Sequence, residues 1–226
     1  MFGSKTSIVK AVEDVSFSLH NDEVLVIAGE SGSGKSTIAK LILGAITPDS
    51  GKVIFQGKEI KNNTNSLMKI RMNCQMVHQD PYDSINPRMK VRDIVSEPLE
   101  IHNIGHHSER EKIVLDTLRE VKLEPTGEIA NKYPHMLSGG QKQRVVLARA
   151  LVLRPKIIIA DEPVSMLDVS IRAEILELMK NIQKKNNISF IYITHDLATA
   201  RYFGDRIIIL YLGKIMEFGP INQVLL

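Results

Sequence analysis

Five apolar residues in a row, Val24-Leu25-Val26-Ile27-Ala28, run straight into Gly29-Glu30-Ser31-Gly32-Ser33-Gly34-Lys35-Ser36-Thr37. An unbroken run of this kind suits a short strand covered on both faces. Past the turn, Ile38, Leu41, Ile42 and Ala45 recur at i, i+3, i+4 and i+7, the apolar stripe of a helix. The turn matches G-x-x-x-x-G-K-[ST] in the strand–turn–helix context that the pattern requires. Its glycines let backbone N–H groups curl inward into an anion nest capped by a helix N-terminus. Lys35 is placed to reach β- and γ-phosphates, and the Ser36 hydroxyl to ligate Mg²⁺. The bland alternative is a flexible Gly/Ser connector. The Lys-Ser spacing favours a nucleoside triphosphate site, but it does not say what the energy is used for.

The rest of the chain continues the same rhythm around one interruption. Val15, Phe17 and Leu19 alternate with polar residues, as in a half-buried strand, and residues 52–56 offer a second. Residues 80–150 have helical spacing (Val114, Leu118, Val121), broken into short pieces by Pro81, Pro87, Pro98, Pro125 and Pro134. We expect a single domain over residues 1–226, with this helical subdomain inserted at about 85–150. After Pro155 come a buried strand at 157–160, a helix carrying Ile171, Ile175, Leu178 and Ile182, and strands at 188–193 and 207–211. Buried strands alternating with helices argue for a parallel sheet with right-handed crossovers.

Composition excludes several classes. Twenty-nine basic against 26 acidic residues leave a net charge of +3, too balanced for a nucleic-acid stripe, so no nucleic-acid partner is expected. A lone Cys74 makes neither an internal disulfide nor a cysteine zinc cage. The opening MFGSKTSIVK lacks the apolar core of a secretory signal. Apolar runs such as residues 207–212 fall far short of the roughly 18–20 residues a membrane helix needs. At a membrane, such a chain sits beside the bilayer.

A second carboxylate-bearing site closes the 157–160 strand: Asp161 and Glu162, before Pro163. The C-terminal end of a parallel strand faces the crevice where ligands of open α/β sheets bind. Asp161 suits a Walker-B role, holding Mg²⁺ directly or through water, while Glu162 can orient or deprotonate attacking water. Read alone, the pair is also an acidic helix start.

Elsewhere in the chain stand Gln79 in Val77-His78-Gln79-Asp80, then Leu137-Ser138-Gly139-Gly140-Gln141, Ser165-Met166-Leu167-Asp168, and His195 in Ile193-Thr194-His195-Asp196. In chain order these resemble the Q-loop, signature, D-loop and switch histidine of ATP-binding-cassette (ABC) ATPases, over about residues 11–220. Individually, Gln79 reads as a turn residue and His195 as a cap. The resemblance implies a P-loop NTPase (RecA-like) α/β core with an antiparallel β part and an inserted helical subdomain. It implies a head-to-tail dimer around two ATP molecules, in which Ser138, Gly139, Gly140 and Gln141 meet the γ-phosphate held by the other subunit. Gln79 would link Mg²⁺ and water to the insert, His195 would contact the γ-phosphate, and Asp168 would connect the two sites. Catalytic roles thus fall to Glu162, His195 and Gln79, and metal roles to Ser36, Gln79 and Asp161. His78 and Met166 depart from the aromatic and small residues usual in the family. The family's adenine-stacking aromatic precedes the stretch from Ala11 to Phe17, where only ten residues stand and Phe2 is the candidate. The chain stops soon after Gly219-Pro220, without the tail of many relatives.

The segment from Gln75 to Met89 looks like that of dipeptide, oligopeptide and nickel importer ATPases. This implies an ATP-hydrolysing motor peripheral to the cytoplasmic face of the membrane. Its partners would be a second ABC ATPase subunit, two integral membrane permease subunits and an extracellular solute-binding protein. Tyr82, Ile85, Pro87 and Met89 would form a docking patch for the permease, or else belong to the insert core. The rival reading is a soluble ABC ATPase uncoupled from transport, such as a phosphonate-metabolism or assembly factor.

Overall fold

The computed structural model describes residues 10–225, apart from the side chains of Tyr82 and Asp83, so Phe2 lies outside the described residues. The chain opens with β1 (Val24–Gly29), α1 (Lys35–Ile42), β2 (Ile54–Phe55), β3 (Lys58–Glu59), α2 (Thr64–Asn73) and β4 (Cys74–Val77). Helices α3 (Pro81–Ser84), α4 (Val91–Ile101), α5 (His107–Glu120), α6 (Thr126–Asn131) and α7 (Gly139–Leu151) follow. The β/α alternation resumes with β5 (Ile157–Asp161), α8 (Val169–Asn186), β6 (Ser189–Thr194), α9 (Leu197–Phe203) and β7 (Arg206–Tyr211). It closes with β8 (Lys214–Pro220) and α10 (Ile221–Val224).

A six-stranded sheet has the order β4-β5-β6-β1-β7-β8, and only the β7–β8 pair is antiparallel. Alternate residues of each strand feed opposite layers. Val24, Val26 and Ala28 pack into one core with Ile158, Ala160, Phe190 and Tyr192, shared with the α4–α7 helices. Leu25 and Ile27 point the other way, into a smaller core with Ile38, Phe55, Ile70, Cys74 and Ile159. Burial on both faces explains why β1, β5 and β6 read as continuous apolar runs.

Register positions the site. Ala28 pairs with Thr194, Asp161 with Ile193, and Val77 with Ala160. The C-terminal ends of β4, β5, β6 and β1 are therefore level, and the turn after each opens on the same rim.

Several expectations need correction. The stretch around Val15, Phe17 and Leu19 is not a strand, although these residues are partly buried against the smaller core. Alternation reports one-sided burial, which a chain lying on a sheet satisfies without pairing. The strand expected over residues 52–56 shrinks to Ile54–Phe55, paired with Lys58–Glu59 across a tight turn in which Gln56 and Gly57 both have positive φ. Pro98 does not break its helix. It lies inside α4, where Val91, Ile94, Val95, Pro98 and Leu99 form one buried face. Tertiary packing of that stripe outweighs the lost backbone hydrogen bond. Of the expected docking residues, Ile85 is buried and Met89 packs on the larger core, as insert core would, whereas Pro87 is exposed.

Candidate nucleotide site

Residues 30–34 join β1 to α1. Gly34 forms the N-cap of α1 with φ 104°, a left-handed conformation open mainly to glycine. A Cβ there would stand 2.3 Å from the Ala11 carbonyl oxygen, so crowding as well as dihedral strain demands glycine. The turn leaves Glu30, Ser31 and Gly32 exposed and buries Ser33 and Lys35. The Lys35 ammonium donates to the carbonyls of Gly29 at 2.8 Å and Glu30 at 2.7 Å. The Ser33 hydroxyl is buried without a hydrogen-bond partner. An orphaned hydroxyl and a buried ammonium in one glycine turn are what an anionic ligand would satisfy. Thr37 follows half-buried on α1.

Across the rim, the Ser36 hydroxyl donates to Asp161 Oδ2 at 2.8 Å, joining α1 to the end of β5. Burial raises the Asp161 pKa; the Ser36 hydrogen bond opposes this, the Glu162 charge adds to it, and His78 and Lys35 oppose it. A cation would relieve that cost of charge. A hydroxyl and a carboxylate are hard oxygen donors of the kind Mg²⁺ accepts alongside substrate phosphates and water, so the pair fits the implied ion. Among the described residues no group of three or more His, Cys, Asp or Glu side chains is placed to hold a metal. His78, after β4, has its pKa lowered by partial loss of solvent around the ring, opposed by Asp161 and reinforced by Arg149.

Glu162 sits one residue beyond β5 with φ 48°. Its N–H donates to the Ile193 carbonyl at 2.9 Å, and its Oε1 lies 2.9 Å from His195 Nδ1. With the proton on Nδ1 the imidazole donates to the carboxylate, leaving Nε2 as acceptor. The Glu162 side chain is 15% exposed and that of His195 is 60% exposed, so a sheltered carboxylate is held by a ring facing the open rim. Gln79 is exposed in the bend after β4.

The structure thus groups Lys35, Ser36, Asp161, Glu162 and His195 at adjacent strand ends, and it gathers Ser138, Gly139, Gly140, Gln141 and Asp168 elsewhere. Ser138 caps α7: its Oγ accepts from Gln141 N–H at 3.3 Å, and Gln141 Oε1 accepts from Ser138 N–H at 3.0 Å. A Cβ on Gly140 would come within 2.8 Å of Ile171 Cγ2, so the start of α7 lies close on α8, whose N-cap is the exposed Asp168. Sequence reasoning missed Arg172, which donates to the carbonyls of Leu167 at 2.6 Å and Ser165 at 3.2 Å and fastens the segment before Asp168. Nothing in its spacing distinguishes it from a solvated helix arginine.

The model of a family described as ABC transporter matches residues 12–165. The chain belongs to the ABC transporter family. This ABC protein is 46% identical over 219 residues to the oligopeptide transport ATP-binding protein AppF of Bacillus subtilis (strain 168), a match covering 96% of this chain and 66% of AppF. It is 42% identical over 226 residues to OppF, an oligopeptide transport ATP-binding protein of the same organism, covering 99% of this chain and 73% of OppF. The chain thus spans less than two thirds of AppF. Among solved structures it resembles the dimeric ATP-binding cassette MJ0796 bound to ADP and Pi, with TM-score 0.84 and 33% identity, covering 97% of this chain and 94% of that one. Among the described residues no helix is long and apolar enough to cross a membrane.

Proposed function

We propose that the chain is the ATP-hydrolysing motor of an ABC importer for oligopeptides or dipeptides, with nickel the other cargo of the subfamily it resembles. The observation that carries hydrolysis is the joined rim, where Ser36 bonds Asp161 and His195 meets Glu162 above neighbouring strands. Peptide cargo rests on similarity to AppF and OppF.

In this reading the glycine turn and Lys35 bind the phosphates of ATP, and Ser36, Asp161 and Gln79 hold Mg²⁺. Bound there, Mg²⁺ neutralises charge on the phosphate oxygens. Glu162 takes the proton of the attacking water, and His195 keeps the carboxylate aimed. Ser138, Gly139, Gly140 and Gln141 serve a triphosphate on a second ABC subunit, placed head-to-tail, and Asp168 links the two sites. Because both subunits grip each γ-phosphate, ATP binds the closed pair better than the separated chains, the differential affinity that a ligand-driven change requires. Opening and closing would be passed to two integral membrane permease subunits fed by an extracellular solute-binding protein, with this chain peripheral at the cytoplasmic face.

Two measurements test this. ATPase activity per molecule should rise with protein concentration; a full rate from isolated protomers at high dilution would overturn the shared site. Pull-down from detergent-solubilised membranes should recover integral membrane subunits identified by mass spectrometry. A purely soluble complex would favour an ABC ATPase uncoupled from transport.

A further inference from the structure

The exposed His195 ring has little packing to aim it, so its approach to Glu162 depends on the backbone that carries it. That backbone is held by a ring of three hydrogen bonds. The Asp196 N–H donates to Thr194 Oγ1 at 3.0 Å, and the Thr199 hydroxyl donates to the Asp196 carbonyl at 2.9 Å. The two threonine hydroxyls lie 3.4 Å apart. With the Thr199 proton committed to Asp196, Thr194 is left as the donor between them. Each member then gives a proton to the next, a closed arrangement whose bonds polarise one another, and the Asp196 carbonyl also accepts from Ala200 N–H at 3.0 Å. Thr194 is 4% exposed, so its hydroxyl has little water to fall back on. The Asp196 carboxylate fastens the ring to α9, accepting from Ala198 N–H at 2.9 Å and Thr199 N–H at 3.3 Å. On the other side, Thr194 is tied to the sheet by pairing with Ala28 of β1, the strand that leads into the glycine turn.

We infer that Thr194 and Thr199 are positioning residues for hydrolysis: their hydroxyls lock the turn that delivers His195 to Glu162. The inference rests on the reading that His195 and Glu162 act in hydrolysis. Loss of either hydroxyl opens the ring and strands a polar group of Asp196 or Thr194. The turn can then relax, and misplacement of a reacting group by about 1 Å is enough to cost orders of magnitude in rate.

The test compares Thr194→Val, Thr199→Val, Thr194→Ser and His195→Ala in the full chain, by steady-state ATP hydrolysis and thermal unfolding. Each valine variant should lose about tenfold in kcat with the KM for ATP unchanged, and Thr194→Ser should restore the rate. Adding Thr194→Val to His195→Ala should cost nothing further, because the threonine acts through the histidine. A valine variant with unchanged kcat overturns the inference, as does a loss carried in KM, or failure of serine to restore the rate. Thr199→Val keeps the test decisive if Thr194→Val does not fold. If His195→Ala itself turns over normally, the underlying reading of the site fails; if it is impaired while both valine variants are not, only the positioning role falls.

Discussion

The rim at the ends of β1, β5 and β6 and the N-terminus of α7, the two regions proposed to meet the phosphates of ATP, are finished differently. At the rim, side chains from distant parts of the chain hold one another: Ser36 reaches Asp161 across 125 residues, and His195 reaches Glu162 across 33. At α7, the polar groups of Ser138 and Gln141 satisfy each other within one helical turn. The rim has the donors, the carboxylates and a candidate base; α7 starts with a capped, half-buried glycine pair, and Ser138 to Gln141 include neither a lysine nor a carboxylate. In the proposed function, one is most of an active site and the other a surface that meets a ligand held elsewhere. That difference supports the proposal that the chemistry is completed between two chains.

The comparison is broken most severely at Glu162. Glu162→Gln keeps the shape and removes the proton acceptor, so turnover should fall about 10³-fold while ATP binding persists. Steady-state hydrolysis beside a nucleotide-binding assay checks it, and undiminished turnover would remove Glu162 from the chemistry. Lys35→Ala deletes the buried ammonium, and ATP affinity itself should weaken by up to about a hundredfold, since hydrogen bonds from a charged group are worth about 1.5–3 kcal/mol. Equilibrium binding of a labelled ATP analogue would show it. Ser138→Arg attacks the other region. It should leave ATP binding to the single chain unchanged and lower hydrolysis about tenfold, by placing bulk and charge on the surface proposed to face the partner. Loss of binding in the isolated chain would mean that the two regions are not separate.

The rim was far more legible in sequence than the elements around it. Residues 24–37 and Asp161-Glu162 announce themselves because continuous apolar strands and a lysine-bearing glycine turn have few other uses. The start of α7 was legible only through the resemblance of Leu137–Gln141 to the family signature, and the capping box between Ser138 and Gln141 emerged with the fold. The edges were not legible. β4 has only four residues, and β8 pairs Arg206–Tyr211 in antiparallel register through a sequence with no clean alternation. Edge strands are buried on fewer sides, so their residues carry less of the pattern. The ring around Asp196 was invisible for a different reason: threonines are common in strands and helix starts, and only three-dimensional closure makes Thr194 and Thr199 partners.

The smallest effect is expected where the helical region meets the core, at Glu120. Its side chain is 6% exposed at the end of α5, bonded to Arg154 Nη1 at 2.6 Å and to Asn186 Nδ2 at 2.8 Å, with Lys185 at 3.4 Å. Burial works against its charge, but the Asn186 and Arg154 hydrogen bonds and the Arg154 and Lys185 charges prevail and hold its pKa below the ordinary value. Glu120→Gln should cost about 1 kcal/mol near neutral pH, less than a sheltered charged hydrogen bond because Arg154 and Lys185 are largely solvated. A carboxylate whose folded pKa is depressed stabilises the protein above its unfolded pKa, about 4.3 for Glu, and loses that contribution as pH falls through the folded value. The gap in Tm between wild type and Glu120→Gln should therefore be steady from pH 7 to 5 and close at lower pH, with ATP binding at the rim untouched. A gap that widens on acidification would mean that the charge of Glu120 is a burden to the fold, and that the helical region is fastened to α8 by other contacts, such as Arg144 to Glu174 at 3.1 Å.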